Sequence, residues 1–159
     1  MIKTGDKIPA MKLMVATADG PREADTAELL GQGKVVLFAV PGAFTPTCSA
    51  KHLPGFVKLA PEFKAKGVDR IVCMAVNDAF VMGAWAKDQK VGEAVTMLAD
   101  GSGIFTRALG LELDLVARGL GMRSQRFALV AENGVVTHLA VEEPGGFEVS
   151  RAEAVLETL

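Results

Sequence analysis

Cysteine is scarce in this 159-residue chain, which carries only Cys48 and Cys73. Two thiols make no disulfide framework of the kind small secreted scaffolds rely on. Nor is one needed, since a chain of this size buries about 68–70% of the surface its unfolded form exposes. No apolar run approaches the roughly 18 residues of a membrane-spanning helix. The N-terminus, Met1-Ile2-Lys3-Thr4-Gly5-Asp6, has no apolar run of leader length. An excess of basic charge is missing too. The net charge is -2, whereas a nucleic-acid partner normally requires a basic face, and an acidic chain gains nothing at an anionic membrane. Internal repeats, low-complexity tracts and linker-like stretches are absent. What remains is an ordinary globular balance, with 50% hydrophobic and 23% charged residues. The expectations are one domain over residues 1–159 and a cytoplasmic location. A free thiol in that reducing compartment is reactive, metal-binding or buried.

Several apolar runs read as buried strands. Val35-Val36-Leu37-Phe38-Ala39-Val40 is continuous, rich in β-branched and aromatic residues, and bounded by Gly33-Lys34 and Pro41-Gly42. Ile71 to Val76, Val95 to Ala99 and Arg126 to Val130 are of the same kind. Val135 to Val141 follows Asn133-Gly134, the strongest short hairpin signal, which joins the last two strands. Helical spacing lies between them. Thr47 to Ala65 carries Phe56, Leu59, Ala60 and Phe63, with Pro54 expected to kink it. Asp78 can cap a helix running through Phe80, Val81, Ala84 and Trp85. Ile104 to Leu109 and Arg151 to Leu159 are shorter. Strands alternating with helices, then a hairpin, predict an α/β layer fold with a mixed sheet.

The stretch that carries chemistry is Val40-Pro41-Gly42-Ala43-Phe44-Thr45-Pro46-Thr47-Cys48-Ser49. It leaves a buried strand and opens a helix, whose first N–H groups have no partners of their own. Pro46 suits an early helical position. Cys48 then lies in the first turn, where the helix dipole favours thiolate over thiol. Ionisation alone is a modest gain. A free cysteine is roughly 3% thiolate at pH 7, so full ionisation is worth about thirtyfold. A fast thiol enzyme needs more. Donors must face the atoms on which negative charge develops as the leaving group departs. Thr45, three residues before Cys48, can reach the same pocket.

Pro41-x-x-x-Thr45-x-x-Cys48 resembles the active-site pattern of the peroxiredoxins at every specified position. The string P-G-A-F-T-P-T-C-S is similar to the peroxiredoxin-5-like subfamily in particular. H-L-P-G-F at His52 to Phe56, V-N-D-A-F-V at Val76 to Val81, R-S-Q-R-F-A-L-V at Arg123 to Val130 and V-E-E-P-G-G-F at Val141 to Phe147 extend the likeness over nearly the whole chain. The resemblance implies a thioredoxin-like fold that reduces hydroperoxides to water or alcohol, with no metal, haem or flavin. It implies Cys48 as the peroxide-attacking thiol, Thr45 as the hydroxyl that contacts peroxide, Arg126 as a fixed guanidinium, and Pro41 as the shield of the pocket. It also implies a homodimer, with Phe44, Phe80 and Trp85 near the interface.

Attack turns Cys48 into a sulfenic acid that a second thiol must resolve. Two-cysteine relatives carry that thiol near the C-terminus. Here the corresponding Gly146-Phe147-Glu148-Val149-Ser150 has none. Cys73 sits mid-strand and reads as core packing. The expectation is a one-cysteine mechanism with external reduction by glutathione and glutaredoxin. A thioredoxin-reduced peroxidase using Cys73 as resolving thiol is the alternative, as is a redox sensor or holdase switched by Cys48. A thiol–disulfide oxidoreductase would want a C-x-x-C pair, and Thr45 occupies its first position. His52 and His138 stand alone, without the companions of a metal site. Gly101-Ser102-Gly103 reads as a turn, not a phosphate loop.

Overall fold

The computed structural model describes residues 1–159. In chain order its elements are β1 (Lys12–Thr17), β2 (Gly20–Asp25), α1 (Thr26–Leu29), β3 (Lys34–Ala39), α2 (Leu53–Ala65), β4 (Arg70–Ala75), α3 (Ala79–Asp88), β5 (Thr96–Ala99), α4 (Ile104–Leu109), β6 (Glu112–Leu115), β7 (Gly121–Ser124), β8 (Phe127–Glu132), β9 (Val135–Val141) and α5 (Ala152–Leu156). Seven strands form one sheet in the order β2-β1-β5-β4-β3-β8-β9. Strands β3, β4 and β5 run parallel, and the outer pairings are antiparallel. β6 and β7 form a separate antiparallel ribbon. The expected α/β layering with a mixed sheet is what the chain builds.

Side-chain alternation explains why β3 sits at the centre. Val36 and Phe38 face one core with Phe56, Phe63, Met82, Trp85 and Val155, drawn from α2, α3 and α5. Val35, Leu37 and Ala39 face a second core with Leu13, Phe105, Leu109 and Phe127. A strand covered on both faces carries no polar positions, hence its unbroken apolar run. Phe38, Phe56 and Phe63 stack in sequence, with centroid spacings of 4.0 and 5.4 Å.

The Asn133-Gly134 turn forms as read. Both residues take positive φ, 50° and 83°, which a two-residue hairpin requires. Asp78 caps α3 by accepting from the Val81 N–H at 2.9 Å. The buried stripe of that helix differs from the expectation. Ala79, Met82 and Trp85 turn inward, while Phe80 is 76% exposed. The helix that begins near Cys48 also differs. Pro46 and Thr47 are helical, but Cys48–His52 forms a π-helical turn closed by Leu53 N–H donating to the Cys48 carbonyl. Pro54 follows that turn in the first positions of α2, where its missing N–H does no harm, and Pro61 lies inside the helix. β1, β2, β6 and β7 have no counterpart in the sequence reading.

Candidate active site

β3 delivers the chain to Pro41 at the C-terminal edge of the parallel strands. Three contacts fix the turn that follows. The Ala43 N–H donates to Asn77 Oδ1 at 2.9 Å. Thr45 Oγ1 donates to the Gly42 carbonyl at 2.6 Å. Arg123 Nη1 donates to the Pro41 carbonyl at 3.2 Å. Gly42 leaves room for these contacts, since a Cβ there would lie 2.6 Å from Arg123 Nη1, which would have to move, and 3.2 Å from Thr45 Cγ2. Phe44 takes φ 65°, a left-handed conformation that costs a non-glycine residue energy and is held by its surroundings.

The helix beyond this turn brings Cys48 and His52, four residues apart, onto one inward face, and both are fully buried. The Cys48 N–H has no backbone acceptor, as expected of a first-turn donor. Arg126 reaches in from the residue before β8. Its Nη2 donates to Cys48 Sγ at 3.1 Å, and its Nη1 donates to His52 Nδ1 at 2.8 Å. The second contact settles the histidine's proton. A guanidinium only donates and a carbonyl only accepts, so Nδ1 is bare and Nε2–H donates to the Ser150 carbonyl at 3.0 Å. Burial, then the Arg126 charge, hold the His52 pKa down to about 3 from its ordinary 6.5. The ring is therefore a neutral acceptor throughout the working pH range.

Of the residues expected from sequence, Cys48 and Arg126 are brought into direct contact. Thr45 is tied to the same turn through Gly42, which leaves its oxygen lone pairs free to accept. Pro41, Thr47, Gln125, Arg126, Glu142 and Gly146 line a cavity of about 110 Å³ against the guanidinium. A larger cavity, about 420 Å³, lies between β1, β5 and the start of α3 and contains none of these groups. Cys73 lies on β4 and is fully buried. Burial pushes its thiol well up, with the negative charge of Cys48 adding to the effect against the opposing pull of Arg126. His52 is the residue that sequence reasoning left isolated. Its partners stand 74 and 98 positions away, and only the fold joins them. Trp85, read as core or interface, is wholly buried and donates from Nε1 to Ser49 Oγ at 3.0 Å, bracing the turn after Cys48.

Fold and site together define a class: thioredoxin-like folds that set a buried thiol against an arginine, without a C-x-x-C pair. Residues 3–156 match the redoxin family. The chain is 54% identical to the chloroplastic Peroxiredoxin-2E-2 of Oryza sativa subsp. japonica, over 99% of this chain and 72% of that protein. The reduced Prx3 of Vibrio vulnificus in complex with H2O2 superposes with a TM-score of 0.94 at 53% identity, covering 99% of each chain. The antioxidant protein of Plasmodium falciparum, a 1-Cys peroxiredoxin, superposes with a TM-score of 0.92 at 30% identity, covering 99% of this chain and 98% of that one. The chain belongs to the redoxin family and, within it, to the peroxiredoxins. Its chemistry is that of a thiol peroxidase.

Proposed function

We propose that this chain reduces hydrogen peroxide and alkyl hydroperoxides at Cys48 and is regenerated by an external thiol, glutathione acting through glutaredoxin. The observation that carries the site assignment is the 3.1 Å contact between Arg126 Nη2 and Cys48 Sγ, whose residue is fully buried against an apolar core. A guanidinium keeps its charge at every working pH, so it is the counter-charge a thiolate needs there. The thiolate attacks one peroxide oxygen. An S–O bond forms, the O–O bond breaks, and the departing oxygen leaves with the electron pair and takes a proton to become water or alcohol. Cys48 becomes a sulfenic acid. Arg126 and the unpaired Cys48 N–H supply donors where negative charge moves from sulfur to the leaving oxygen. Thr45 Oγ1 accepts from the peroxide O–H and so turns the substrate. Pro41 forms part of the cavity wall.

Two observations favour an external reductant. Cys73 is sealed in the sheet with its thiol held protonated. The stretch Gly146 to Ser150 contains no cysteine. The 1-Cys relative of the same fold is consistent with this reading. Glutathione resolves the sulfenic acid by forming a mixed disulfide with Cys48 and releasing water, and glutaredoxin then takes the glutathionyl group. A reducing compartment such as the cytosol suits this cycle. Because Cys48 is fully buried, the π turn must open for a large thiol to reach it. Steady-state turnover of hydrogen peroxide and an alkyl hydroperoxide is the test. Glutathione plus glutaredoxin should sustain it, and Cys48→Ser should abolish it while Cys73→Ser leaves it intact. Turnover with thioredoxin alone that is lost in Cys73→Ser would replace the external-thiol cycle with an internal one. We also propose a homodimer, in which Phe44 and Phe80, 52% and 76% exposed, are covered.

A further inference from the structure

Arg126 can serve the reaction only if its fork stays aimed at sulfur. Much of what aims it comes from one segment, residues 142–150, between β9 and α5. The Glu142 N–H donates to the Arg126 carbonyl at 2.9 Å, which fixes the backbone. The Phe147 ring lies 5.8 Å from the guanidinium carbon and meets the His52 ring edge-on at 5.1 Å. The Ser150 carbonyl takes the His52 Nε2–H and so leaves Nδ1 to accept from Arg126. His52 is held on its other side by Phe38 and Phe56, at 4.8 and 5.7 Å. No other titratable side chain contacts its ring nitrogens.

The segment is in turn organised by one carboxylate. Glu142 Oε2 accepts from the Glu148 N–H, the Ser150 N–H and the Ser150 hydroxyl at 2.8, 2.8 and 2.7 Å. Burial alone would push this carboxyl up, but the Ser150 and Glu148 donors outweigh it and keep it below its ordinary range. The chain comes close to Glu142 because Gly146 permits it. A Cβ there would lie 3.3 Å from Glu142 Oε1 and 3.0 Å from the Glu143 carbonyl. Three donors on one oxygen are more than a surface loop needs. They set the position of a carbonyl 8 residues away from the carboxylate in sequence.

We propose that Glu142 is a positioning residue for peroxide reduction: by folding residues 142–150 onto its carboxylate it fixes the Ser150 carbonyl, through it the His52 tautomer, and through His52 the aim of Arg126 at Cys48. This deepens the peroxidase assignment and rests on it. The chain of contacts predicts a loss that passes through Arg126. The experiment is the single-turnover reaction of reduced protein with hydrogen peroxide, followed by sulfenic-acid trapping. It needs no reductant. Glu142→Ala should slow it by roughly tenfold or more, a part of the roughly 10²–10³-fold that one transition-state donor is worth. Glu142→Gln, which keeps an acceptor oxygen, should recover most of that loss. Ser150→Ala, which removes only the hydroxyl donor, gives a milder variant should Glu142→Ala fail to fold. In an Arg126→Ala background, Glu142→Ala and Ser150→Ala should add no further loss. Ring-nitrogen NMR of His52 should report Nε2–H alone in the parent chain and a mixture of tautomers in Ser150→Ala or Glu142→Ala. Additive losses in the double variants, or peroxide rates within twofold of the parent in every single variant, overturn the proposal. A parent chain that reacts no faster than a free cysteine overturns the peroxidase assignment instead, and the two failures are told apart in one data set.

Discussion

Arg126 is where the chemistry is most exposed to a single substitution. Arg126→Ala removes the donor to Cys48 Sγ and leaves His52 Nδ1 without a partner. The expected loss in peroxide rate is roughly 10²–10³-fold, measured by stopped-flow with the buried Trp85 as reporter. A loss under about tenfold would take Arg126 out of the reaction. Arg126→Lys should recover little, because a single ammonium cannot span sulfur and imidazole together. His52 makes a separate prediction about stability. Its folded pKa lies near 3 and its ordinary value is 6.5. Between those values the unfolded chain binds a proton that the folded chain refuses, so stability falls as pH drops through that window. The slope is at most about 1.4 kcal/mol per pH unit from this residue. Glu142, held below its ordinary value of 4.5, contributes in the same direction at lower pH. Urea unfolding at about pH 7 and about pH 5 should show the decline in the parent chain and a shallower one in His52→Gln. At this scale the sequence was partly legible. Cys48, Thr45 and Pro41 stand in a spaced pattern, and Arg126 in a second string, that resemble those of the peroxiredoxins. His52, Glu142 and Phe147 also fall in strings of that kind, but no role could be read for them or for Ser150, because what joins them is a tertiary path of contacts between residues up to 98 positions apart.

Among the elements, those made of apolar runs were readable and those made of pairing were not. β3, β4, β5, β8 and β9 fall within a residue or two of their apolar runs, and α4 spans Ile104–Leu109 as its pattern indicates. β2, Gly-Pro-Arg-Glu-Ala-Asp, has no apolar run. It exists because β1 offers it a ladder from Lys12↔Asp25 to Thr17↔Gly20. β6 and β7 are a half-exposed ribbon of the same sort. The π turn is a one-residue adjustment of a helix and leaves no periodic trace. The hairpin between β8 and β9 gives a test at this scale that spares the chemistry. Asn133 holds φ 50° and its Oδ1 accepts from the Gly33 N–H at 3.0 Å. Asn133→Ala should cost about 1 kcal/mol in unfolding free energy. Its peroxide rate should match the parent's, since this turn joins the strand ends opposite to those that carry Cys48 and Arg126.

For the molecule as a whole, the two cores on either face of β3 and β4 set the reactive loop on a rigid floor, and the outer surface carries what the monomer does not use. Phe44 and Phe80 are apolar, exposed and set on or next to the loop and helix that frame the site. In the proposed dimer, Phe80→Lys should shift sedimentation at micromolar concentration from a dimer to a monomer. A parent chain that sediments as a monomer at high concentration would remove the dimer from the account. The expectation of an α/β layered sheet survived because it rests on alternation and apolar runs, which a chain must show if both faces of its sheet are covered. The central claim is narrower: Cys48 alone is oxidised by peroxide, and its repair comes from outside the chain. Intact-mass spectrometry after one equivalent of hydrogen peroxide tests it most directly. The account predicts a gain of one oxygen atom that maps to Cys48, converted by added glutathione into a mixed disulfide at the same residue. A loss of two hydrogens, mapping to a Cys48–Cys73 disulfide as the main product, would contradict it.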